Sequence, residues 1–289
     1  MKKMIKQLTI IGVGLIGGSL ARALKHAGVV DEVVGAGRDV QHLQRALALG
    51  VVDRIETDLA LAVQGADIVV VATPVGAAEA VFRRIAPGLS VDTILTDVGS
   101  TKTSVIAAAR TAFGQLPENF VPAHPIAGTE KSGVDASFAT LFEGRRVILT
   151  PTENSASQAV TRVRAMWGKT GAEVVETNAE HHDDVLAATS HLPHLLAFSL
   201  VDTLARLDTK QEIFEYAAGG FRDFTRIASS DPEIWHDICL HNSDALLKML
   251  ARFEADLDSL RQAIADNDGD YLLRVFTHAK TARDQFCED

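Results

Sequence analysis

The chain has few cysteines, no excess of basic residues and no long uninterrupted apolar run. Its 289 residues include two cysteines, Cys239 and Cys287, which give no disulfide framework and fit a reducing compartment. The formal net charge of −10 argues against nucleic acid or an anionic membrane surface as the partner. With 47% hydrophobic and 23% charged residues, the composition is that of a globular protein of one or two domains.

The N-terminus has a basic start followed by apolar residues, a pattern that superficially resembles a signal peptide. Four glycines, Gly12, Gly14, Gly17 and Gly18, interrupt this run at the spacing of a nucleotide-binding loop. No other apolar stretch is long enough to span a bilayer. We therefore expect a cytoplasmic protein without a membrane partner.

Short β-type runs alternate with helical patterns in the first part of the chain. The predicted strands cover residues 8–11, 33–36, 67–72, 93–97, 146–151 and 172–176. The run at 67–72 is almost continuously apolar, as expected of a parallel strand covered on both faces. Strands that alternate with helices predict a parallel, doubly wound sheet.

From about Asn178 the β-type runs disappear and helical patterns take over. Pro193 predicts a kink or break in a helix over 179–207. Asp231 and Pro232 predict the N-cap and first residue of a further long helix. Its apolar residues alternate between spacings of four and three: Leu246, Leu250, Phe253, Leu257, Leu260 and Ile264. Such a coiled-coil seam packs either inside its own domain or against a second subunit.

The first chemical motif is Gly12-x-Gly14-x-x-Gly17, between a predicted strand and a predicted helix. The first glycine allows a tight turn, the second lets the backbone approach a pyrophosphate, and the third lets helix and strand pack closely. The helix N-terminus then presents N–H groups to the phosphates. A merely tight turn is the alternative. The predicted cofactor-binding residues here are Gly12, Gly14, Leu15, Ile16 and Gly17, with Thr73 and Pro74 after a neighbouring strand.

The end of the second strand bears on which dinucleotide is bound. An acidic residue there would hold the ribose 2′-hydroxyl of NAD, but Gly37 occupies the position and Arg38 follows. Without the carboxylate a 2′-phosphate is not repelled, and a guanidinium can pair with it. Gly37 and Arg38 therefore favour NADP, and NAD remains possible if Asp39 holds the ribose instead.

Two polar segments follow the later strands. Ser100 lies after the strand ending at Asp97, at the sheet edge where ligands bind in such folds, and it can orient a ligand or cap the next helix. His124 opens a polar stretch to Gly133, which proline and glycine residues predict to be a loop. We interpret His124 as the candidate base. Glu130 and Lys131 in this stretch can be only a solvated ion pair.

Ser190-His191-Leu192-Pro193-His194 places two histidines three residues apart on one helical face. This spacing suits a metal, but no cysteine or carboxylate pattern accompanies it, so we predict substrate contacts and no metal.

The segment Gly219 to Arg226 is predicted to be a glycine-led loop. Arg222 and Arg226 can supply the anion pocket that the net charge does not, or they can pair with Asp223 and Asp231. Its two phenylalanines, Phe221 and Phe224, are predicted to be core residues.

Taken in order, five segments resemble the prephenate/arogenate (cyclohexadienyl) dehydrogenase family: residues 12–19, 97–100, 124–133, 190–194 and 219–231. The resemblance implies oxidative decarboxylation of prephenate or arogenate on the route to tyrosine, with hydride transfer to NAD(P). It implies that His124 is the catalytic histidine and that Ser100 lies near the substrate hydroxyl and the cofactor. It also implies that Arg226 binds the ring carboxylate.

The resemblance further implies that His194, Thr129 and Arg222 line the rest of the substrate site. In this family the helical domains form a homodimer, so Arg222 and Asp223 can act on the neighbouring subunit's site. The sheet domain is implied to extend to a strand ending near Thr177. We expect no additional regulatory or mutase domain.

The predicted architecture is an α/β N-terminal domain with a Rossmann-type doubly wound sheet, residues 1–177, plus an all-α C-terminal dimerisation domain, residues 178–289. One alternative is another NAD(P)-dependent hydroxy-acid dehydrogenase with a helical C-terminal domain, which would be expected to use a lysine base. A second is a non-catalytic NADP-sensing protein, which needs the glycine motif but not His124, Ser100 and Arg226 together.

Overall fold

The structure is a computed structural model of the single chain, and it describes residues 4–129 and 131–287, without the side chains of residues 286 and 287. Glu130 and the lysines at positions 2 and 3 lie outside the described residues. The chain divides into two compact units, Met1–Ser243 and Asp244–Asp289.

A six-stranded parallel sheet forms the centre of the first unit, with strand order β3-β2-β1-β4-β5-β6. The strands are β1 (Ile5–Ile11), β2 (Val30–Ala36), β3 (Arg54–Glu56), β4 (Ile68–Val71), β5 (Ile94–Asp97) and β6 (Phe120–Val121). The helices of this part are α1 (Leu15–His26), α2 (Val40–Ala48), α3 (Leu59–Ala62), α4 (Ala78–Ile85), α5 (Thr103–Phe113) and α6 (Ser157–Gly168). The predicted doubly wound sheet is confirmed for this region.

Strand β4 shows why the sheet is buried on both faces. Ile68 and Val70 pack into one apolar cluster, and Val69 and Val71 pack into another. Because successive side chains of a strand point to opposite faces, both faces of β4 are covered, as its continuous apolar sequence predicts.

The strand order reverses between β1 and β4, and the glycine motif lies at this point. Gly12 follows β1 directly and has a φ of +95°, a conformation that disfavours any side chain. A Cβ atom on Gly12 would lie 2.5 Å from the carbonyl oxygen of Ala72, just beyond β4. The reversal of strand order leaves a crevice at the carboxyl ends of β1 and β4, where ligands bind in doubly wound sheets.

The strands predicted at 146–151 and 172–176 are not part of this sheet. They form a second sheet of three strands: β7 (Ala123–Pro125), β8 (Arg146–Leu149) and β9 (Glu173–Glu176). β7 is antiparallel to β8, and β8 is parallel to β9. The prediction of one parallel sheet was therefore wrong for this region, because alternation of strands and helices does not reveal which sheet a strand joins.

His124 lies on strand β7 and not in a loop, paired with Ile148. Pro122 separates β6 from β7, and Pro125 ends β7. These prolines and the following glycines predict a loop, but they only bracket a three-residue strand that the neighbouring β8 holds in place.

The remaining helices of the first unit are α7 (Ala179–Leu186), α8 (Leu192–Ala205), α9 (Lys210–Glu215), α10 (Gly219–Thr225) and α11 (Pro232–His241). A π-helical stretch, Ala187–His191, joins α7 to α8 directly before Pro193. The predicted break thus takes the form of a π-bulge, since proline has no N–H group for the regular helical hydrogen bond.

By length and composition alone, the run Ala179–Ala205 is long and apolar enough to cross a membrane, and in the described chain it is the one helix that meets this test. The expectation that no such stretch exists was therefore wrong. The run carries the buried side chains of His182, Asp183 and His191, which bond to other parts of the fold. These three side chains connect the run to the rest of the fold.

Asp231 caps α11 as predicted, accepting a hydrogen bond from the backbone N–H of Glu233 at 2.9 Å. The helix does not continue through the seam, because it ends at His241 and a new helix begins at Ser243. Asn242 breaks it with a non-helical backbone and a buried side chain. The second unit begins at Asp244 and contains the rest of α12 (Ser243–Ala265) and α13 (Gly269–Cys287). On these helices Leu257, Ile264, Leu273 and Phe276 are 46–66% exposed.

The predicted loop at 219–226 is a helix, α10, followed by a 3₁₀ turn at Arg226–Ser229. Phe221 packs against Phe214, with ring centroids 6.1 Å apart. Phe224 is 48% exposed, so its assignment to the core was wrong. Side chains three and four residues apart lie on one face of a helix, and this spacing favours a helix here despite the two glycines at its start.

The glycine geometry yields a test of stability. We expect Gly12→Ala to lower the free energy of unfolding by about 2–4 kcal/mol, because it adds a strained φ and a clash with Ala72. Gly14→Ala is the matched control, since Gly14 has negative φ and no atom within 4 Å of its would-be Cβ, and it should change stability by less than about 1 kcal/mol. Urea unfolding measures both, and equal losses would contradict the assigned roles.

Candidate active site

The glycine motif has the shape of a pyrophosphate cradle. A Cβ on Gly17 would lie 2.3 Å from the carbonyl oxygen of Gly12, so the third glycine is needed for close packing of α1 on β1. The space around Gly14 is open, and Gly14 is the N-cap residue of α1. A phosphate group can therefore approach the N–H groups at the start of α1, and the cradle fits a dinucleotide.

A cavity of about 780 Å³ continues from this crevice. Four predicted cofactor residues line it: Gly37, Arg38, Thr73 and Pro74. Thr73 has a buried hydroxyl without a hydrogen-bond partner among the described residues, as expected of a group that a ligand satisfies. The volume is in the usual range for cofactor pockets.

The side wall of this cavity carries charges of both signs. Arg84 of α4 lines it beside Arg38, and Glu233, His236 and Asp237 of α11 line it as well. The Asp237 carboxylate accepts a hydrogen bond from the backbone N–H of Gly76 at 3.1 Å, which joins α11 to the segment after β4.

Asp39 is not among the residues that line this cavity. Its side chain accepts a hydrogen bond from the backbone N–H of His42 at 3.0 Å and so caps helix α2. A carboxylate used as an N-cap is already committed to stabilising the helix.

A buried ion pair holds the strand that carries the candidate base. The Lys102 ammonium lies 2.5 Å from the Asp97 carboxylate, and both side chains are almost fully buried. Lys102 also donates to the carbonyl oxygen of Ala123 at 2.7 Å, and Asp97 accepts from the Ala123 N–H at 3.1 Å. The Lys102–Asp97 ion pair, which we call the clamp, thus binds both the N–H and the carbonyl oxygen of Ala123, the residue directly before His124. Burial lowers the pKa of Lys102, and the charge of Asp97 opposes this shift.

The clamp lies at the cofactor edge of the main sheet. Asp97 is the last residue of β5 and is in register with Val71, the last residue of β4. His124 is therefore held near the carboxyl ends of the strands that border the crevice.

Asp183 of α7 connects the helical part to the sheet part. Its carboxylate accepts hydrogen bonds from the backbone N–H of Lys102 at 2.8 Å, from the backbone N–H of Thr103 at 2.9 Å and from the Thr103 hydroxyl. Asp183 thus caps the start of α5, and the alternative that Ser100 caps this helix was wrong. Burial alone would raise the pKa of Asp183, but hydrogen bonds from His182, Thr103 and Lys102 hold it below its usual value.

His124 is linked to Asp183 through a second histidine. Nδ1 of His124 lies 2.9 Å from Nε2 of His182, and Nδ1 of His182 lies 2.7 Å from Oδ1 of Asp183. Burial, with the neighbouring positive or polar groups of His182, Lys102 and His191, lowers the pKa of His124 well below 6.5. At neutral pH the His124 imidazole is therefore uncharged and able to accept a proton.

A further buried histidine lies in the π-bulge. Nδ1 of His191 lies 2.9 Å from the side-chain nitrogen of Asn242, which also donates to the carbonyl oxygen of Asp183 at 2.9 Å. Since the amide donates, Nδ1 of His191 accepts and its Nε2 carries the proton. That Nε2 is buried and has no partner among the described residues. Burial lowers the pKa of His191 to about 4.

His194 and Trp235 form a stacked pair, with ring centroids 3.6 Å apart and planes 15° from parallel. His191 meets the same indole edge-on at 6.2 Å. The two histidines therefore share a face, as their spacing predicts. Burial lowers the pKa of His194, and the charge of Arg226 lowers it further. Helix α8, which carries His194, packs against the 3₁₀ turn that begins at Arg226.

Three further predicted site residues are half-buried or exposed. Ser100 is half-buried, between the end of β5 and Lys102. Thr129 is exposed and accepts from the backbone N–H of Lys131 at 3.2 Å. Arg222 is exposed on α10. In residues 4–129 and 131–287, no cluster of three or more histidine, cysteine or acidic side chains is arranged to hold a metal ion.

Sequence reasoning missed six residues of the site: Asp97, Lys102, His182, Asp183, Trp235 and Asn242. Asp97 was visible in the sequence as an acidic residue at the end of an apolar strand. The run Glu180 to Asp184 was visible as a charged start to an apolar helix. Neither pattern indicates that the two segments meet, because the contacts join residues about 80 positions apart.

The fold and the crevice together define the class of protein. It is a dehydrogenase built on a dinucleotide-binding sheet, with a helical part attached. Comparison with known families is more specific. Residues 20–176 match the nucleotide-binding domain of prephenate dehydrogenase, and residues 178–278 match its dimerization domain. The chain belongs to the prephenate dehydrogenase family.

Individual relatives agree with this assignment. The cyclohexadienyl dehydrogenase of Zymomonas mobilis is 44% identical, over 96% of this chain and 95% of the relative. A prephenate dehydrogenase of Bacillus subtilis is 38% identical, over 98% of this chain and 77% of the relative.

Solved structures agree as well. The prephenate dehydrogenase of Aquifex aeolicus, determined with hydroxyphenyl propionate and NAD+, has a TM-score of 0.90 and 36% identity, covering 97% of this chain and 98% of that one. Synechocystis arogenate dehydrogenase has a TM-score of 0.80 and 29% identity, covering 97% of this chain and 99% of that one.

The buried ion pair can be tested by removing one charge. We expect Lys102→Met to lower the free energy of unfolding by about 3–5 kcal/mol, because Asp97 is left buried and unpaired. The double variant Asp97→Asn with Lys102→Met should lose less than the sum of the two single changes.

Lys280→Met is the control, since Lys280 forms an exposed ion pair with Asp284 and its loss should cost less than about 1 kcal/mol. Denaturant unfolding measures all four variants. Equal small losses for Lys102→Met and Lys280→Met would show that the clamp does not hold the fold.

Proposed function

We propose that the chain performs the oxidative decarboxylation of prephenate, arogenate or both, in tyrosine biosynthesis, with His124 as the base. The observation that carries the assignment of the base is the buried, uncharged His124 at the cofactor edge of the sheet. The family and its relatives support the reaction, since prephenate, cyclohexadienyl and arogenate dehydrogenases are all among them.

The residues of the chain divide the chemistry between them. The nicotinamide of the bound cofactor accepts the hydride from the ring carbon that carries the hydroxyl group. His124 takes the proton of that hydroxyl on Nε2, while the ring loses carbon dioxide and becomes aromatic. A base that is uncharged at neutral pH and held by a clamped strand needs no reorganisation before this step.

The substrate is proposed to lie between His124 and the helical cluster. Arg226 binds the ring carboxylate, because a guanidinium can hold a carboxylate through two parallel hydrogen bonds. His194 stacks on Trp235, and its helix packs against the turn that carries Arg226. Ser100 contacts the hydroxyl and the nicotinamide, and Thr129 and Arg222 complete the rim.

A lysine base, as in other hydroxy-acid dehydrogenases with a helical part, is not supported. Lys102 is the buried lysine of the site, but its ammonium donates to Asp97 and to the Ala123 carbonyl oxygen. An ammonium held by a carboxylate stays protonated and cannot accept a proton.

The cofactor is NAD(P), and we favour NADP. Gly37 leaves room at the ribose, and Arg38 and Arg84 both line the cavity there. Asp39, the acidic residue that would support NAD, caps α2 instead. Two guanidinium groups near one ribose favour a 2′-phosphate.

The helical part is proposed to form a homodimer in the cytoplasm, with a functional boundary between residues 177 and 178. The exposed apolar residues of α12 and α13 include Leu257, Ile264 and Leu273. A stripe of this kind is suited to pairing with a second copy, and the matching family model is a dimerization domain.

A four-way assay tests the reaction and its base. Purified protein is mixed with prephenate or arogenate and with NADP or NAD, and nicotinamide reduction is followed at about 340 nm. We expect turnover with at least one pair. His124→Asn should retain cofactor binding, measured by fluorescence titration, while kcat falls by about 10²–10⁴. No reduction with any pair would overturn the reaction, and normal turnover of His124→Asn would overturn the base.

Cofactor preference is tested by Arg38→Ser. We expect kcat/KM for NADP to fall by about 10- to 150-fold, which corresponds to the roughly 1.5–3 kcal/mol of a hydrogen bond to a charged group. We expect kcat/KM for NAD to change by less than about threefold. Arg83→Ser is the matched control, because Arg83 is exposed on the same helix as Arg84 and pairs with Glu79. An equal effect of Arg38→Ser on both cofactors would contradict the NADP preference.

A further inference from the structure

His182 and Asp183 are adjacent, buried and unassigned by the sequence motifs, yet His182 contacts His124 directly and Asp183 contacts it through His182. The two side chains are 1% and 3% exposed. They lie on α7, whereas His124 lies on β7, so the contact joins two distant segments. The two side chains either serve only to pack α7 against β7, or they determine which ring nitrogen of His124 carries the proton.

The direction of each hydrogen bond follows from chemistry. Asp183 accepts from the Lys102 N–H, the Thr103 N–H and the Thr103 hydroxyl, so its carboxylate is ionised and can only accept. Nδ1 of His182, 2.7 Å from this carboxylate, must therefore be the donor. Burial lowers the pKa of His182, so the ring is neutral at neutral pH and its Nε2 has a lone pair.

The lone pair of His182 then fixes the proton of His124. Nε2 of His182 lies 2.9 Å from Nδ1 of His124, and only an N–H on His124 can complete this hydrogen bond. His124 must carry its proton on Nδ1, which leaves the lone pair on Nε2. A general base needs a lone pair on the atom that faces its substrate.

We propose that His182 and Asp183 are positioning residues that fix the tautomer of His124 and stabilise the cation it becomes. This proposal rests on the proposed function, in which His124 accepts the hydroxyl proton. Once Nε2 is protonated, the His124 cation still donates from Nδ1 to His182. The Asp183 carboxylate then lies at the other end of this pair of hydrogen bonds. A carboxylate placed behind an imidazole plays the same part in hydrolytic triads.

The test compares two replacements of His182. His182→Gln keeps an oxygen that can accept the Nδ1 hydrogen of His124, whereas His182→Leu fills similar space and accepts nothing. We expect kcat of His182→Leu to fall by about 10²-fold, with KM for both substrates changed less than about threefold, and His182→Gln to recover most of the loss. A packing role would instead affect KM and stability, and glutamine would not restore kcat selectively.

A second readout does not depend on activity. Nitrogen-15 NMR of labelled histidine distinguishes protonated from unprotonated ring nitrogens, and His124→Asn identifies the signals of His124. We expect Nδ1 of His124 to be protonated in the wild type and in His182→Gln, and a mixture of tautomers in His182→Leu. His182→Leu with wild-type kcat, or a His124 protonated on Nε2 in the wild type, would overturn the proposal. Normal turnover of His124→Asn would instead refute the base itself.

Discussion

The buried ammonium of Lys102 is the point on which the site depends. Its side chain binds Asp97 and the carbonyl oxygen of Ala123, and its backbone N–H binds Asp183. One residue thereby fixes the strand that carries His124 and the helix that carries His182. Because charges buried in a protein are costly unless paired, these contacts permit few alternative arrangements.

The same burial gives His124 its chemical properties. Removal from water lowers the pKa of the imidazole, and the surrounding histidines and Lys102 lower it further. An imidazole free in water is partly protonated near neutral pH, whereas the buried His124 is uncharged there. The neighbouring dinucleotide crevice, formed where the strand order reverses between β1 and β4, supplies the place for a hydride acceptor. The structure thus places a proton acceptor, carried by the second sheet, near the cofactor site at the carboxyl edge of the main sheet.

The sequence predicts the parts that depend on local patterns. The glycine motif, the parallel sheet over its first four predicted strands, the cap at Asp231 and the break near Pro193 all follow from residue types and spacing. The second sheet could not be predicted, because the partner of β8 is chosen by long-range packing. His182 and Asp183 were missed for the same reason: a histidine next to an aspartate has no distinctive spacing, and its role arises only when α7 meets β7.

The most direct measurement is a crystal structure of the protein with NADP and hydroxyphenyl propionate, the ligand bound in the Aquifex aeolicus relative. The account predicts that Nε2 of His124 lies about 2.6–3.2 Å from the ligand's ring hydroxyl, with Nδ1 still in contact with His182. A hydroxyl held by a different basic side chain, with His124 turned away from the ligand, would contradict it.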